Sequence, residues 1–323
     1  MSTPPASVPP SSSPRGVSPE LYPFRSRFFD RGDGIRLHYV DEGTGDPVVF
    51  VHGNPTWSFY FRDLIRALSP TQRAIALDHV GCGLSDKPLD DRYAYTLSSR
   101  IDDLEALLEH LGVTGKVTLV VHDWGGAIGF GWAVRHPERV ARLVVLNTAA
   151  FHLPRGKSLP ALLWLARDTA AGAFLVERLN AFAIGAALIG TPRRRMARDV
   201  REAYLAPYAR AGERHATLRF VQDIPLSAGD RAWAPLLDIE AKLPLLADVP
   251  MLICWGEKDF VFDASFLREW RRRFPCADVH TYPTAGHYVL EDAGDLIVPL
   301  VRRFVEGPPH PSPASILPGP AAS

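Results

Sequence analysis

Five side chains in this sequence have types and settings that can do chemistry. Asp123 ends the run Val117-Thr118-Leu119-Val120-Val121-His122-Asp123, and Trp124-Gly125-Gly126 follows it. An apolar, β-branched run reads as a buried strand, and a helical pattern resumes at Ala127. Strand, sharp turn and helix together make an elbow that lifts one side chain above the end of a sheet. The side chain at its apex is a carboxylate, not a hydroxyl or thiol. A carboxylate there can attack carbon and form an ester intermediate. That excludes serine-esterase chemistry and points to displacement of a leaving group. The plainer alternative is that Asp123 only caps the following helix.

Four further residues favour the chemical reading. His287, in Ala285-Gly286-His287-Tyr288, is a candidate base. Asp259, in Gly256-Glu257-Lys258-Asp259 just past an apolar strand, can orient and charge-stabilise it. Glu257 competes for that role, and Asp259 is preferred because it stands at the end of the turn. Near Asn147, at the end of the preceding strand, the chain reads Asn147-Thr148-Ala149-Ala150 and offers no carboxylate. Asn54, in His52-Gly53-Asn54-Pro55, and Trp124 carry an amide N–H₂ and an indole N–H. Aimed into one dry cavity, these donors would hold a developing anion. Each has a plainer reading: a turn for Asp259, a turn former before proline for Asn54, core packing for Trp124. The combination carries the argument.

The elements that must position these groups alternate along the chain. Strands are predicted at 35–40, 48–51, 74–77, 117–123, 143–146, 251–255 and 279–282. Helices are predicted at 59–68, along Leu97, Ile101, Leu104, Leu108 and Leu111, and from the elbow to about His136. Continuous apolar strands separated by helices predict an α/β fold, a parallel sheet covered on both faces. Ligands bind beyond the carboxyl ends of such strands, where all five candidates fall. Between 151 and 235 the alternation fails, and helices are predicted at 159–165, 174–189 and 199–208. This segment is expected to be a helical lid over an oily pocket, inserted into a core of 21–150 and 236–306. The Pro/Ser-rich 1–20 and Pro-rich 307–323 are expected to be disordered tails.

Composition bounds the rest. The 323 residues are 46% hydrophobic, enough for a full core. Thirty-six basic and 36 acidic residues balance, so no overall charge recruits nucleic acid or an anionic membrane. Arg271-Arg272-Arg273 reads as a solvated helix face, and Arg193-Arg194-Arg195 is equally short. Cys82, Cys254 and Cys276 are unpatterned and suggest neither a disulfide framework nor a zinc site. No signal peptide and no run of about 20 apolar residues is present, so a cytoplasmic location without a transmembrane segment is expected. The site calls for no metal and no cofactor.

These motifs resemble the haloalkane dehalogenases of the α/β-hydrolase superfamily over residues 22 to 305. The order nucleophile, acid, histidine matches that superfamily. The resemblance implies an α/β-hydrolase fold with Asp123 as nucleophile, His287 as base, Asp259 as acid, and Asn54 with Trp124 as the anion-binding pair. Epoxide hydrolases are similar at the elbow but need two lid tyrosines, for which Tyr204 and Tyr208 stand as candidates. Within the superfamily, Asp78-His79-Val80-Gly81-Cys82-Gly83-Leu84-Ser85-Asp86-Lys87-Pro88, Leu146–Phe151, Thr217–Pro225 and Phe260-Val261-Phe262-Asp263 resemble the β-lactone decarboxylases of bacterial long-chain olefin biosynthesis. That implies conversion of a cis-3,4-dialkyl-oxetan-2-one to a cis-alkene and CO₂. It also implies a hydrophobic long-chain substrate, with the adenylate-forming β-lactone synthetase of the same pathway as a partner. Haloalkane dehalogenation is the alternative activity. A binding module with an inert elbow is a third reading, disfavoured by the intact set of Asp123, His287 and Asp259.

Overall fold

The computed structural model describes residues 17–308. Eight strands form one sheet: β1 (Arg27–Asp30), β2 (Arg36–Glu42), β3 (Pro47–Val51), β4 (Arg73–Leu77), β5 (Val117–Asp123), β6 (Val140–Thr148), β7 (Met251–Gly256) and β8 (Asp278–Tyr282). Their spatial order is β1-β2-β4-β3-β5-β6-β7-β8. From β4 to β8 all neighbours are parallel, and β2 and β1 add antiparallel to one edge. The expected α/β architecture is therefore present.

Helices cover both faces. They are α1 (Arg62–Leu68), α2 (Leu97–His110), α3 (Trp124–Ala133), α10 (Ala264–Arg273) and α11 (Val289–Glu306). Six more lie between β6 and β7: α4 (Ala161–Asp168), α5 (Ala170–Leu179), α6 (Ala181–Ile189), α7 (Arg198–Leu205), α8 (His215–Gln222) and α9 (Trp233–Lys242). Alternate residues of each central strand feed opposite cores. Val49, Val51, Leu119 and Val121 face one cluster, with Ile101, Ile128 and Trp270. Val48, Phe50 and Val120 face the other, with Leu64, Ile65 and Ile297. This two-sided burial is why β5 is apolar throughout, with all seven of its residues buried. α2 starts on a reciprocal cap in which Thr96 and Ser99 bind each other's backbone N–H.

Four details differ from the sequence reading. β1 was not predicted; four residues on an antiparallel edge are too short for a periodic signal. The single helix expected at 174–189 is two, broken at Asn180, which has φ 56° and sits between α5 and α6. The lid boundary expected at 235 falls inside α9, which packs on α2 and α3. Residues 17–20, assigned to a disordered tail, are folded: Val17 is buried and Ser18 accepts backbone hydrogen bonds from Leu21 and Tyr22. Of the other tail residues, Gly307 donates its N–H to the Arg303 carbonyl at the end of α11, and 1–16 and 309–323 lie outside the described residues. Among those described, no single helix is long and apolar enough to cross a membrane.

Candidate active site

β5 and β6 lose register between His122 and Asp123, and Asp123 has φ 52° and ψ −127°. The carboxylate thereby turns out of the sheet at the N-terminus of α3. It lodges against the loop after β3, where Asn54 donates its backbone N–H to Asp123 Oδ1 at 2.5 Å. A Cβ on Gly125 would meet the Val51 carbonyl oxygen at 1.9 Å, so only glycine lets the elbow pack against β3. Thr148 Oγ1 donates to the Asp123 carbonyl and ties the elbow to the end of β6. Burial raises the Asp123 pKa; His287 and the backbone amides of Asn54 and Trp124 oppose the rise, and Asp259 adds to it.

His287 follows β8. Its Nδ1 lies 2.8 Å from Asp259 Oδ2, and its Nε2 lies 3.7 Å from Asp123 Oδ2. Burial disfavours the imidazolium, but the Asp259 carboxylate, aided by Asp123, outweighs it and raises the pKa above the ordinary value. Asp259 Oδ1 accepts the backbone N–H groups of Val261 (2.8 Å) and Phe262 (3.1 Å). Glu257, the competing acid, is exposed, whereas Asp259 is buried.

Two residues given no role from sequence hold this pair. Asn147, fully buried at the end of β6, donates Nδ2 to Asp259 Oδ2 at 3.0 Å and to the Gly256 carbonyl at 3.0 Å. Its Oδ1 accepts the Gly256 N–H at 2.7 Å, so one amide fastens β6, β7 and the acid together. Its φ of 34° was not legible from the chain. His122 Nε2 donates to the His287 carbonyl at 2.9 Å, and its ring stacks on Tyr60 with centroids 4.2 Å apart. Burial, then the neighbouring His287, holds the His122 pKa well below the ordinary imidazole value, so it serves as a neutral donor.

The proposed anion-binding pair meets α8. Asn54 Nδ2 donates to the Thr217 carbonyl at 3.0 Å, which leaves its second amide hydrogen available. The Trp124 ring packs on Phe220 with centroids 5.6 Å apart, and the Arg100 guanidinium lies 3.6 Å from the centroid of that same Phe220 ring. The Trp124 indole N–H has no acceptor among the described residues. Asn54, Asp123, Trp124 and His287 all line one cavity of about 270 Å³. The rest of its wall is largely apolar, with Phe151, Leu163, Val176, Phe182, Val221 and Phe262 among the contributors. Tyr204 and Tyr208 are not in that wall. Tyr204 Oη donates to Glu291, and Tyr208 Oη to the Thr56 carbonyl at 3.1 Å. The two tyrosines that epoxide-hydrolase chemistry requires are committed elsewhere.

The arrangement is a buried carboxylate at an elbow, a histidine–carboxylate pair beside it, and two donors on an apolar cavity. It can attack carbon, hold the resulting ester dry, and stabilise a released anion. Residues 46–294 match the family model of the alpha/beta hydrolase fold. The chain is 55% identical to the cis-3-alkyl-4-alkyloxetan-2-one decarboxylase of Shewanella oneidensis, over 88% of this chain and 89% of that one. It is 48% identical to the enzyme of that name from Xanthomonas campestris, over 89% of this chain and 98% of that one. The crystal structure of the haloalkane dehalogenase DatA from Agrobacterium tumefaciens C58 superposes with a TM-score of 0.76 at 25% identity, covering 87% of this chain and 96% of that one. The chain belongs to the alpha/beta hydrolase fold family.

Proposed function

We propose that this protein decarboxylates cis-3-alkyl-4-alkyloxetan-2-ones, β-lactones, to cis-alkenes and CO₂. The observation that carries the reading is a buried carboxylate, Asp123, on the wall of an apolar cavity, in a chain whose relatives at 55% and 48% identity bear that activity's name. The apolar wall suits alkyl groups, and Asp123 suits an electrophilic carbon.

The proposed step is attack by Asp123 Oδ2 on the ring carbon that bears the lactone oxygen. The C–O bond of the strained ring breaks, an alkyl–Asp123 ester forms with inversion, and the ring carboxylate is freed. Asn54 and Trp124 hold that carboxylate. Loss of CO₂ then sends the C–C electron pair into the new double bond, and the ester C–O bond breaks anti to it. Asp123 is regenerated, no water is consumed, and inversion followed by anti elimination keeps both alkyl groups cis. His287, whose protonated form Asp259 favours, balances the carboxylate that appears in the cavity when it carries its proton. Helices α4–α8 serve as a lid. The supplier of so insoluble a substrate is an adenylate-forming β-lactone synthetase, and the working place is the cytoplasm.

The intact His287–Asp259 pair favours a second reading. In a haloalkane dehalogenase such a histidine activates the water that hydrolyses the ester. The test is gas chromatography of products from a synthetic cis-dialkyl β-lactone, beside halide detection with 1-bromohexane. Cis-alkene with little halide supports the decarboxylase; halide without alkene makes the protein a dehalogenase. Running the lactone reaction in ¹⁸O-water tests the route, because CO₂ released by direct elimination carries only lactone oxygen.

A further inference from the structure

Helices α4–α6 of the insertion present solvent with a largely apolar outer face. On α5, Phe174, Leu175 and Leu179 are exposed while Gly172 and Val176 are buried. α6 reads Ala181-Phe182-Ala183-Ile184-Gly185-Ala186-Ala187-Leu188-Ile189 and has no polar side chain at all; Ile184, Leu188 and Ile189 are exposed, and Ala183 and Ala187 are buried. Leu162 and Trp164 on α4 extend the patch, at 69% and 52% exposure. A helix apolar all round belongs in a core or in lipid, and a patch of this kind marks an interaction surface. α5 and α6 are bent 77° apart at Asn180, which rules out a straight span and suits helices lying along a surface.

Charge identifies the surface. The whole chain is neutral, and residues 151–200 hold eight basic residues, of which Lys157, Arg167, Arg193, Arg194 and Arg198 are paired with carboxylates. Arg155, Arg178 and Arg195 are exposed and have no ion-pair partner among the described residues. Apolar side chains bordered by arginines match the interior and the headgroups of an anionic bilayer. The patch is also continuous with the cavity: Leu162, Leu175, Ile189 and Phe260 are exposed and line it as well. We propose that the α4–α6 face docks on the surface of an anionic lipid bilayer, with the cavity opening beside it. A substrate with two alkyl chains would then pass from bilayer to cavity without crossing water. The docking itself does not depend on which reaction the cavity performs.

The experiment is co-sedimentation of the full chain with phosphatidylcholine vesicles and with vesicles containing phosphatidylglycerol, at low and high salt. The expected result is binding to the anionic vesicles that weakens with salt. Phe174→Glu with Leu188→Glu touches neither cavity nor core and should cut partitioning more than about tenfold, with the thermal midpoint unchanged. Arg195→Ala should weaken it about fivefold. Wild-type protein that stays in the supernatant with both vesicle types overturns the proposal and leaves the face to a protein partner or a second copy. So does a Phe174→Glu, Leu188→Glu variant that sediments as well as wild type. Because sedimentation reads no chemistry, its failure is separable from failure of the decarboxylase reading.

Discussion

Gly53 and Asp123 are packed so closely that a Cβ on Gly53 would lie 2.1 Å from Asp123 Oδ1 and 2.4 Å from its Cβ. This contact lets the next residue, Asn54, reach the carboxylate with its backbone N–H. The loop after β3 and the elbow after β5 thus form one unit, with glycine at the point of closest approach. Gly53→Ala is expected to push the Asp123 side chain out of place and remove the Asn54 hydrogen bond. Activity should fall at least about 10²-fold, since misplacing a reacting group by about 1 Å costs that much. Far-UV circular dichroism should still report the native fold.

Asp123→Asn separates stability from function. The wild-type carboxyl has a raised pKa because burial disfavours its charge. At neutral pH that ionised group is more costly in the folded state than in the unfolded one, and the amide is not. The variant should melt higher than wild type at pH 7, and the gain should vanish as pH falls and the wild-type carboxyl protonates. Alkene formation should drop at least about 10⁴-fold, as expected on loss of a nucleophile. Full activity in this variant would remove the ester mechanism.

The pH profile is expected to be a bell. The acid limb reports ionisation of Asp123 and should lie above the ordinary carboxylate range. The alkaline limb reports loss of the His287 proton and should lie above the ordinary imidazole value, chiefly because Asp259 outweighs burial there. Stability has the matching sign. The pairing of His287⁺ with Asp259 contributes fully below the ordinary imidazole pKa and is lost as pH rises through the raised folded value. Asp259→Asn should move the alkaline limb toward acid, read from kcat/KM against pH. An unmoved limb would assign it to another group.

Asn147 acts on the reaction through Asp259. Asn147→Ala strands the buried Gly256 N–H, leaves the Gly256 carbonyl only the Asp259 N–H at 3.4 Å, and frees one side of Asp259. Unmade buried hydrogen bonds cost about 1–3 kcal/mol. The variant should melt lower, and its alkaline limb should also shift, which a purely structural role would not produce.

Trp124→Phe keeps the ring beside Phe220 and deletes the indole N–H. Loss of one donor to a developing anion costs about 10²-fold in kcat. The expected readout is a fall in kcat with KM nearly unchanged. A fall in neither would make Trp124 a packing residue only.

Much of this molecule was legible in one dimension because the signals are local. A strand covered on both faces must be apolar along its length, and β5 is. The elbow needs small residues after its apex, and Gly125 and Gly126 stand there. The choice of Asp259 over Glu257 followed from position in a turn, and the structure buries the one and exposes the other. β1 escaped because four residues carry no period. The break at Asn180 escaped because helix-forming residues run on both sides of it, and a single left-handed residue leaves little trace in such a pattern. The balanced charge of the whole chain hid a basic, apolar face that exists only where the insertion folds outward.

The sequence by itself determined the architecture and the chemical identity of the apex residue. Periodicity and turn chemistry act within a few residues, and a carboxylate at a strand–helix elbow is written in consecutive letters. Only the tertiary structure decided which contacts hold those distant groups in place. Asn147 reaches Asp259 across 112 residues of chain, Asn54 reaches Asp123 across 69 and the Thr217 carbonyl across 163. Such contacts depend on how β3, β5, β6 and β7 lie side by side and where α8 is laid over them. No local spacing encodes that, because it is set by packing of the whole sheet and the helices that cover it.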